Sequence, residues 1–249
     1  CGDDSAGELG DILHYCFQKW YELSSDELLP EGKKSELFEL FLTHFAEGCL
    51  KEFDWWWDWI QMAIQLADDE EMQGRIIQEL DKVINIKGDE WGINYNRQVA
   101  QRYKLEIMSK RGTPEEQFKF MYENVSNPDF RRRLLQMAWD RGDYKEVLRL
   151  AVDGATHDSD YAGLVNDWHK WELKVYLQTH DHAGSLRLYQ YFFFNGGRFG
   201  EEAYSMENIY GQMKSIVLED EWKDFVETLL NEAASSRSHF RMLFIYSQE

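Results

Sequence analysis

Proline is almost absent from this 249-residue chain, with three residues in all. Long stretches without it leave helices free of the breaks that its ring and missing N–H impose. Val and Thr, which favour pleated sheet, are scarce beside Leu, Glu, Gln and Lys, and that balance argues for helix over strand. Cysteine is equally sparse: Cys1, Cys16 and Cys49 are odd in number and imply no disulfide framework. No run approaches the ~18 apolar residues of a membrane-spanning helix, and no signal peptide stands in the sequence shown. Basic residues are outnumbered, 27 Lys and Arg against 46 Asp and Glu, for a net charge of -19 and a pI near 4.8. Phosphate contacts dominate nucleic-acid affinity, so such a field argues against nucleic acid and anionic membrane and permits basic partners. Arg131-Arg132-Arg133, the one basic triplet, reads as the polar face at a helix start.

What is present is apolar and aromatic: 43% hydrophobic and 15% aromatic residues can fill a sizeable core, in one large domain or a continuous array. Residues 134 to 151 are the most informative stretch. Leu134 and Ala138 keep helical spacing, Gly142-Asp143 breaks it, and Tyr144, Val147 and Ala151 resume it. Two amphipathic helices joined by so short a turn fold back on each other. Ala138, Gly142, Tyr144 and Ala151 are expected at their crossing. Gly112 with Phe118, Gly142 with Leu148, and His180-Asp181 with Leu186 occupy equivalent places, 30 and 38 residues apart. Such periods fall in the solenoid range. The expected fold is all-α, about ten to thirteen helices in antiparallel pairs stacked as a tetratricopeptide-like α-solenoid.

The first helix is expected to begin near Asp3-Asp4-Ser5, with Ser5 and Glu8 as a capping box and Leu9, Ile12, Leu13, Cys16, Phe17 and Trp20 as its apolar stripe. A second carries Leu37, Leu40, Phe41, Phe45 and Cys49. Trp55, Trp56, Trp57 and Trp59 cannot share one face, because successive helical residues lie ~100° apart. Two readings stand for them: core between two neighbouring helices, or a stacking platform for carbohydrate or peptide. A helix over 72–86 ends at Lys87-Gly88-Asp89, the best internal boundary, between an N-terminal helical region, 1–87, and tetratricopeptide-like repeats over 88–249 that are continuous with it, as two regions or one domain. Thr113-Pro114-Glu115-Glu116 starts another helix. Residues 204–216 and 222–234 form a closing pair, and the chain ends after Phe244-Ile245-Tyr246 without a polar cap.

Catalytic constellations are weak. His180-Asp181-His182 could hold a metal only if His157 and Asp158 converged on it; otherwise it is a polar turn. His14-x-Cys16 and His44-x4-Cys49 place thiols in apolar stripes, where they are inert. Asp68-Asp69-Glu70-Glu71 reads as a solvated turn. Gly196-Gly197-x-x-Gly200 lacks the strand and Lys of a phosphate loop.

Asp3-Asp4-Ser5-x-Gly7-x-Leu9-Gly10 resembles the opening of the helical region in bacterial proteins with an N-terminal SWIM-type zinc finger. Asp143-Tyr144-Lys145-Glu146-Val147-Leu148 looks like the turn of a tetratricopeptide-like unit in that region. The resemblance touches about half of the chain. The finger's Cys-x-Cys and Cys-x-His are missing here, so no metal or DNA role carries over. It implies the C-terminal helical part of a larger bacterial protein, with Cys1 as a fragment start; the alternative is a lipid-anchored surface protein acylated at Cys1 that binds a glycan or peptide through exposed tryptophans. The expected function is non-enzymatic protein or peptide binding, with no cofactor, metal or nucleic acid, in the cytoplasm. Large or forked side chains on the first helix of each pair are the expected groove: Tyr95, Arg102, Arg133, Trp139, Trp168 and Trp171.

Overall fold

A computed structural model describes residues 7–53, 55–195, 204–236 and 238–249. The chain divides into two compact units, Cys1–Asn124 and Val125–Glu249. The first holds α1 (Glu8–Ser24), α2 (Glu31–Ala46), a 3-10 turn (Lys51–Phe53), α3 (Trp56–Leu66), α4 (Glu70–Ile84), α5 (Trp91–Arg111) and α6 (Pro114–Glu123). The second holds α7 (Pro128–Asp140), α8 (Tyr144–His157), α9 (Ala162–Gln178), α10 (His182–Asn195), α11 (Met206–Ile216), α12 (Trp222–Ser235) and α13 (His239–Gln248). Among the described residues there is no strand, and within each unit a helix packs chiefly on its neighbours in sequence, as in a helical solenoid.

In the first unit the tryptophan-rich segment is core. Trp56 and Trp57 on α3 are buried, and Trp55 and Trp59 half-buried. Buried side chains surround nearly the whole of α3, because α1, α2 and α4 all pack on it. The polar edges of these rings find partners, as buried indoles require. Trp56 Nε1 donates to the Phe45 carbonyl at 2.7 Å while its ring stacks on Phe45. Trp59 Nε1 donates to the Cys49 carbonyl at 3.2 Å. Asp58, turned toward α1, accepts from the Tyr21 hydroxyl at 3.0 Å. Burial pushes the Asp58 carboxyl above its usual range, against the downward pull of that hydrogen bond.

Several expectations need correction in this unit. The α1 helix begins at Glu8 after Gly7; Asp3-Asp4-Ser5 lies outside the described residues. Ile12 and Cys16 are exposed rather than part of the stripe, which is carried by buried Phe17 with Trp20 half-buried beside it. On α2 the buried set is Phe38, Phe41, Leu42 and Phe45, and Leu40 faces outward. Residues 87–89 belong to the connection between α4 and α5. The Arg97 guanidinium reaches back from α5 to the carbonyls of Ile84, Ile86 and Gly88 at 3.2, 2.7 and 3.0 Å. The Ile84 carbonyl is one that the end of α4 leaves without a helical partner, and those of Ile86 and Gly88 lie in the connection to α5. The capping box at Thr113 and Glu116 forms as expected, with Pro114 at the first helical position.

The second unit contains one turn built twice. Gly142 has φ +71° and His180 φ +56°. In each case the next residue bonds back across the turn: Asp143 N to the Ala138 carbonyl at 2.9 Å, Asp181 N to the Tyr176 carbonyl at 2.8 Å. Each of these aspartates then caps the following helix, accepting from Glu146 N and Gly184 N. The 38-residue spacing is therefore a structural period. Gly112 does not share it, since its φ of -75° and ψ of 156° are extended. Ala138 and Ala151 are fully buried at the α7–α8 crossing, and the Tyr144 ring lies against Trp139. The closing helices hold one element beyond the expected pair. Ile245 of α13 is fully buried, Phe244 packs on Phe193 and Tyr210, and Arg241 donates to the Phe193 and Phe194 carbonyls at the end of α10. The Gly196–Gly200 motif lies outside the described residues.

Two glycines give opposite expectations. Gly142→Val places a β-branched side chain in the left-handed region and should cost about 1 kcal/mol or more. Gly211→Ala adds a methyl to α11 where nothing lies within 4 Å, and should stabilise by about 0.5–1 kcal/mol. Thermal melts of both variants distinguish local backbone strain from a general intolerance of substitution. Asp58 predicts a pH dependence. Its folded pKa is raised, so the folded state binds the extra proton, and stability falls as pH rises from the ordinary value near ~3.9 through the raised one. Asp58→Asn keeps an acceptor for Tyr21 and should flatten that part of the profile in denaturant titrations.

Candidate functional site

The second unit is organised by α9, whose faces have different work. Trp168 points inward and is fully buried. Its Nε1 donates to Asp158 Oδ2 at 2.7 Å, and the other oxygen of Asp158 lies 2.8 Å from His157 Nδ1. The guanidinium of Arg131, 3% exposed, lies 5.6 Å from the Trp168 ring centroid and donates to the Leu150 carbonyl. Gly154 makes room for this contact: a Cβ there would stand 2.7 Å from Arg131 Cδ and 3.0 Å from Trp168 Cδ1. Burial pulls the Arg131 pKa down, opposed by Asp158 and Asp153, and its Nε is left without a hydrogen-bond partner. Arg132 covers Trp168 from the outside while pairing with Asp167 at 2.7 Å.

One flank of α9 presents Trp171, turned about 60° from Trp168 by helical geometry. Its ring lies 6.3 Å from that of Trp139 on α7. The Lys174 ammonium stands 3.9 Å from the Trp139 centroid and 4.5 Å from that of Trp171. Trp139 also meets Tyr144 at 5.2 Å. Both indoles are half-buried and Lys174 is exposed. Such ring faces attract an ammonium through their quadrupoles.

The opposite flank opens a cleft of about 430 Å³ between α8, α9 and α10. Val152, Ala155 and Leu188 form its apolar walls; His169, Glu172, Arg187 and Tyr191 carry its polar groups. Glu172 is 3% exposed, accepts from His169 Nδ1 at 2.8 Å and lies 3.6 Å from Arg187. The His169 ring meets Tyr191 edge-on, and the Tyr191 hydroxyl donates to Asn166. A buried carboxylate beneath an imidazole and a guanidinium fixes both and offers a polar floor to a ligand group. Sequence reasoning missed this cleft. Its three helices come together only in the fold, although His169 and Glu172, three apart on one helix, were readable as a pair.

The expected groove residues separate. Tyr95 and Arg102 belong to the first unit, on one exposed side of α5, where Tyr95 stacks on exposed Trp91 at 5.5 Å. Trp139 and Trp171 are brought together. Arg133 is exposed but about 120° round α7 from Trp139. Trp168 is a core residue and cannot line a groove. His180-Asp181-His182 is an exposed turn, with Asp181 engaged as a helix cap. His14 and Cys16 are exposed, whereas Cys49 lies beyond the end of α2 with its Sγ 3.7 Å from His44 Nδ1. No helix of the described residues is long and apolar enough to cross a membrane. No family model, curated protein or solved structure matches the chain.

The Trp168 junction sets an expectation for stability. Trp168→Ala removes a fully buried indole and the donor to Asp158 Oδ2, and should cost about 3–5 kcal/mol. Trp171→Ala, at the half-buried flank, should cost clearly less. Denaturant unfolding of the two variants gives the comparison.

Proposed function

We propose that the chain is a non-enzymatic helical-repeat module that binds a protein or peptide, as part of a larger bacterial protein of the kind that carries a SWIM-type finger. The observation that carries the binding role is the convergence of Trp139 and Trp171 around Lys174 on the α7–α9 surface. Large aromatic rings at a half-exposed site are the side chains most often dominant in binding energy. The ammonium they hold comes from the chain itself, so the surface has the chemistry for a Lys or Arg side chain of a partner. The net charge of -19 favours the approach of such a segment.

The test is a peptide array spanning basic, neutral and acidic segments, read by fluorescence polarisation. Basic segments should bind most tightly and weaken with added salt. Trp139→Ala with Trp171→Ala should reduce their affinity about tenfold or more while leaving the helical circular-dichroism spectrum intact. Trp168 is unsuitable for this test because its loss unsettles the core. Affinity indifferent to the tryptophan pair would reject this surface. Dependence on His169 or Glu172 instead, together with turnover of a substrate, would replace the binding reading with an enzymatic one.

A further inference from the structure

We infer that His44, Glu47 and Cys49 form a binding site for a zinc-like divalent cation at the end of α2. The ligand atoms of these three side chains all lie within 4.8 Å of one another. The backbone makes the cluster. Gly48 takes the left-handed conformation, φ +74°, and Gly48 N and Cys49 N bond back to the Phe45 and His44 carbonyls at 3.0 Å each. This helix-ending motif folds the residue after the glycine over the last turn, and the two positions so joined usually carry an apolar pair. Here they carry His44 and Cys49, with Glu47 on the intervening cap.

The spacing suits a metal. With Zn–S near 2.3 Å and Zn–N near 2.0–2.1 Å at a tetrahedral angle, sulfur and nitrogen should stand roughly 3.5 Å apart. Cys49 Sγ lies 3.7 Å from His44 Nδ1 and 4.0 Å from Glu47 Oε2. Thiolate, imidazole and carboxylate together select a borderline cation such as Zn²⁺ over Mg²⁺ or Ca²⁺, and the fourth position is open to water. The surroundings already hold two of the three ligands. The Trp59 ring lies 4.8 Å from that of His44, and its Nε1 donates to the Cys49 carbonyl. Binding converts the Cys49 thiol to a thiolate and releases its proton to solvent, so affinity should rise with pH.

The experiment is a Co²⁺ titration of the metal-stripped chain, read by thiolate-to-metal absorption in the near ultraviolet. One equivalent should bind, Zn²⁺ should displace it, and the Cys1→Ser/Cys16→Ser variant should behave like the parent. Cys49→Ser should abolish the band, and His44→Gln or Glu47→Gln should weaken affinity by about tenfold or more. Should Cys49→Ser misfold, alkylation supplies the second readout. Zn²⁺ should slow iodoacetamide labelling of Cys49 in the unaltered chain, mapped by peptide mass, and leave Cys16 unprotected. No band, a band that survives Cys49→Ser in a folded variant, or labelling of Cys49 indifferent to Zn²⁺ overturns the inference.

Discussion

The second unit depends on one contact, the cation of Arg131 held over the ring of Trp168. It joins α7 to α9 through the body of α8, whose Gly154 is the opening that lets the two side chains meet. A buried guanidinium costs several kcal/mol in lost hydration unless its environment returns it. The return comes from the ring face, the Leu150 carbonyl, and the charge of Asp158, which is itself tied to the indole N–H. Removing Trp168 takes the donor from Asp158 Oδ2 and the ring face from Arg131. Once Trp168 is fixed inward, the turn of the helix puts Trp171 on one side of α9 and His169 with Glu172 on the other. The aromatic surface and the cleft are consequences of the same anchoring.

The first unit uses aromatic area where the second uses a charge. Around α3, Trp56, Trp57 and three phenylalanines of α2 bury large rings, and indole N–H groups tie them to carbonyls at the end of α2. Those bonds do more than satisfy donors. They hold the segment after α2 in a tight path in which Leu50, a non-glycine residue, takes φ +64°. A conformation of that kind persists only when its surroundings over-determine it. The same constraint gathers His44, Glu47 and Cys49, so packing in the core and placement of the three proposed ligands arise from one cause.

Much of this was legible where local chemistry decides. Thr113 and Glu116 announce a helix start because a capping box needs only neighbours in sequence. Gly142 announces a turn because a left-handed residue at a helix end is usually glycine. The matching turn at His180 was readable from its position relative to Leu186, even though histidine seldom adopts that conformation. Gly112 misled, since a glycine permits an extended backbone as readily as a left-handed one. Cys16 and Trp168 misled for a different reason. Helical spacing says that residues share a face, but which face is covered is set by partners distant in sequence. The α8–α9–α10 cleft was invisible for that reason too.

The charge of the chain acquires a more specific meaning once its cations are located. Arg97 is spent on carbonyls at the end of α4, Arg131 in the core, Arg132 on Asp167 and Asp129, and Arg241 on the end of α10. These residues are engaged in holding the fold together. The chain as a whole carries a net charge of -19, and exposed ion pairs on such a surface contribute little to stability. What such a surface does supply is long-range attraction for a positively charged partner. Lys174 differs from these four arginines in being an exposed cation set against half-buried rings. On the proposed binding reading, an incoming ammonium would take its place with little cost to the core, and the attraction of the acidic chain would end there in a specific contact.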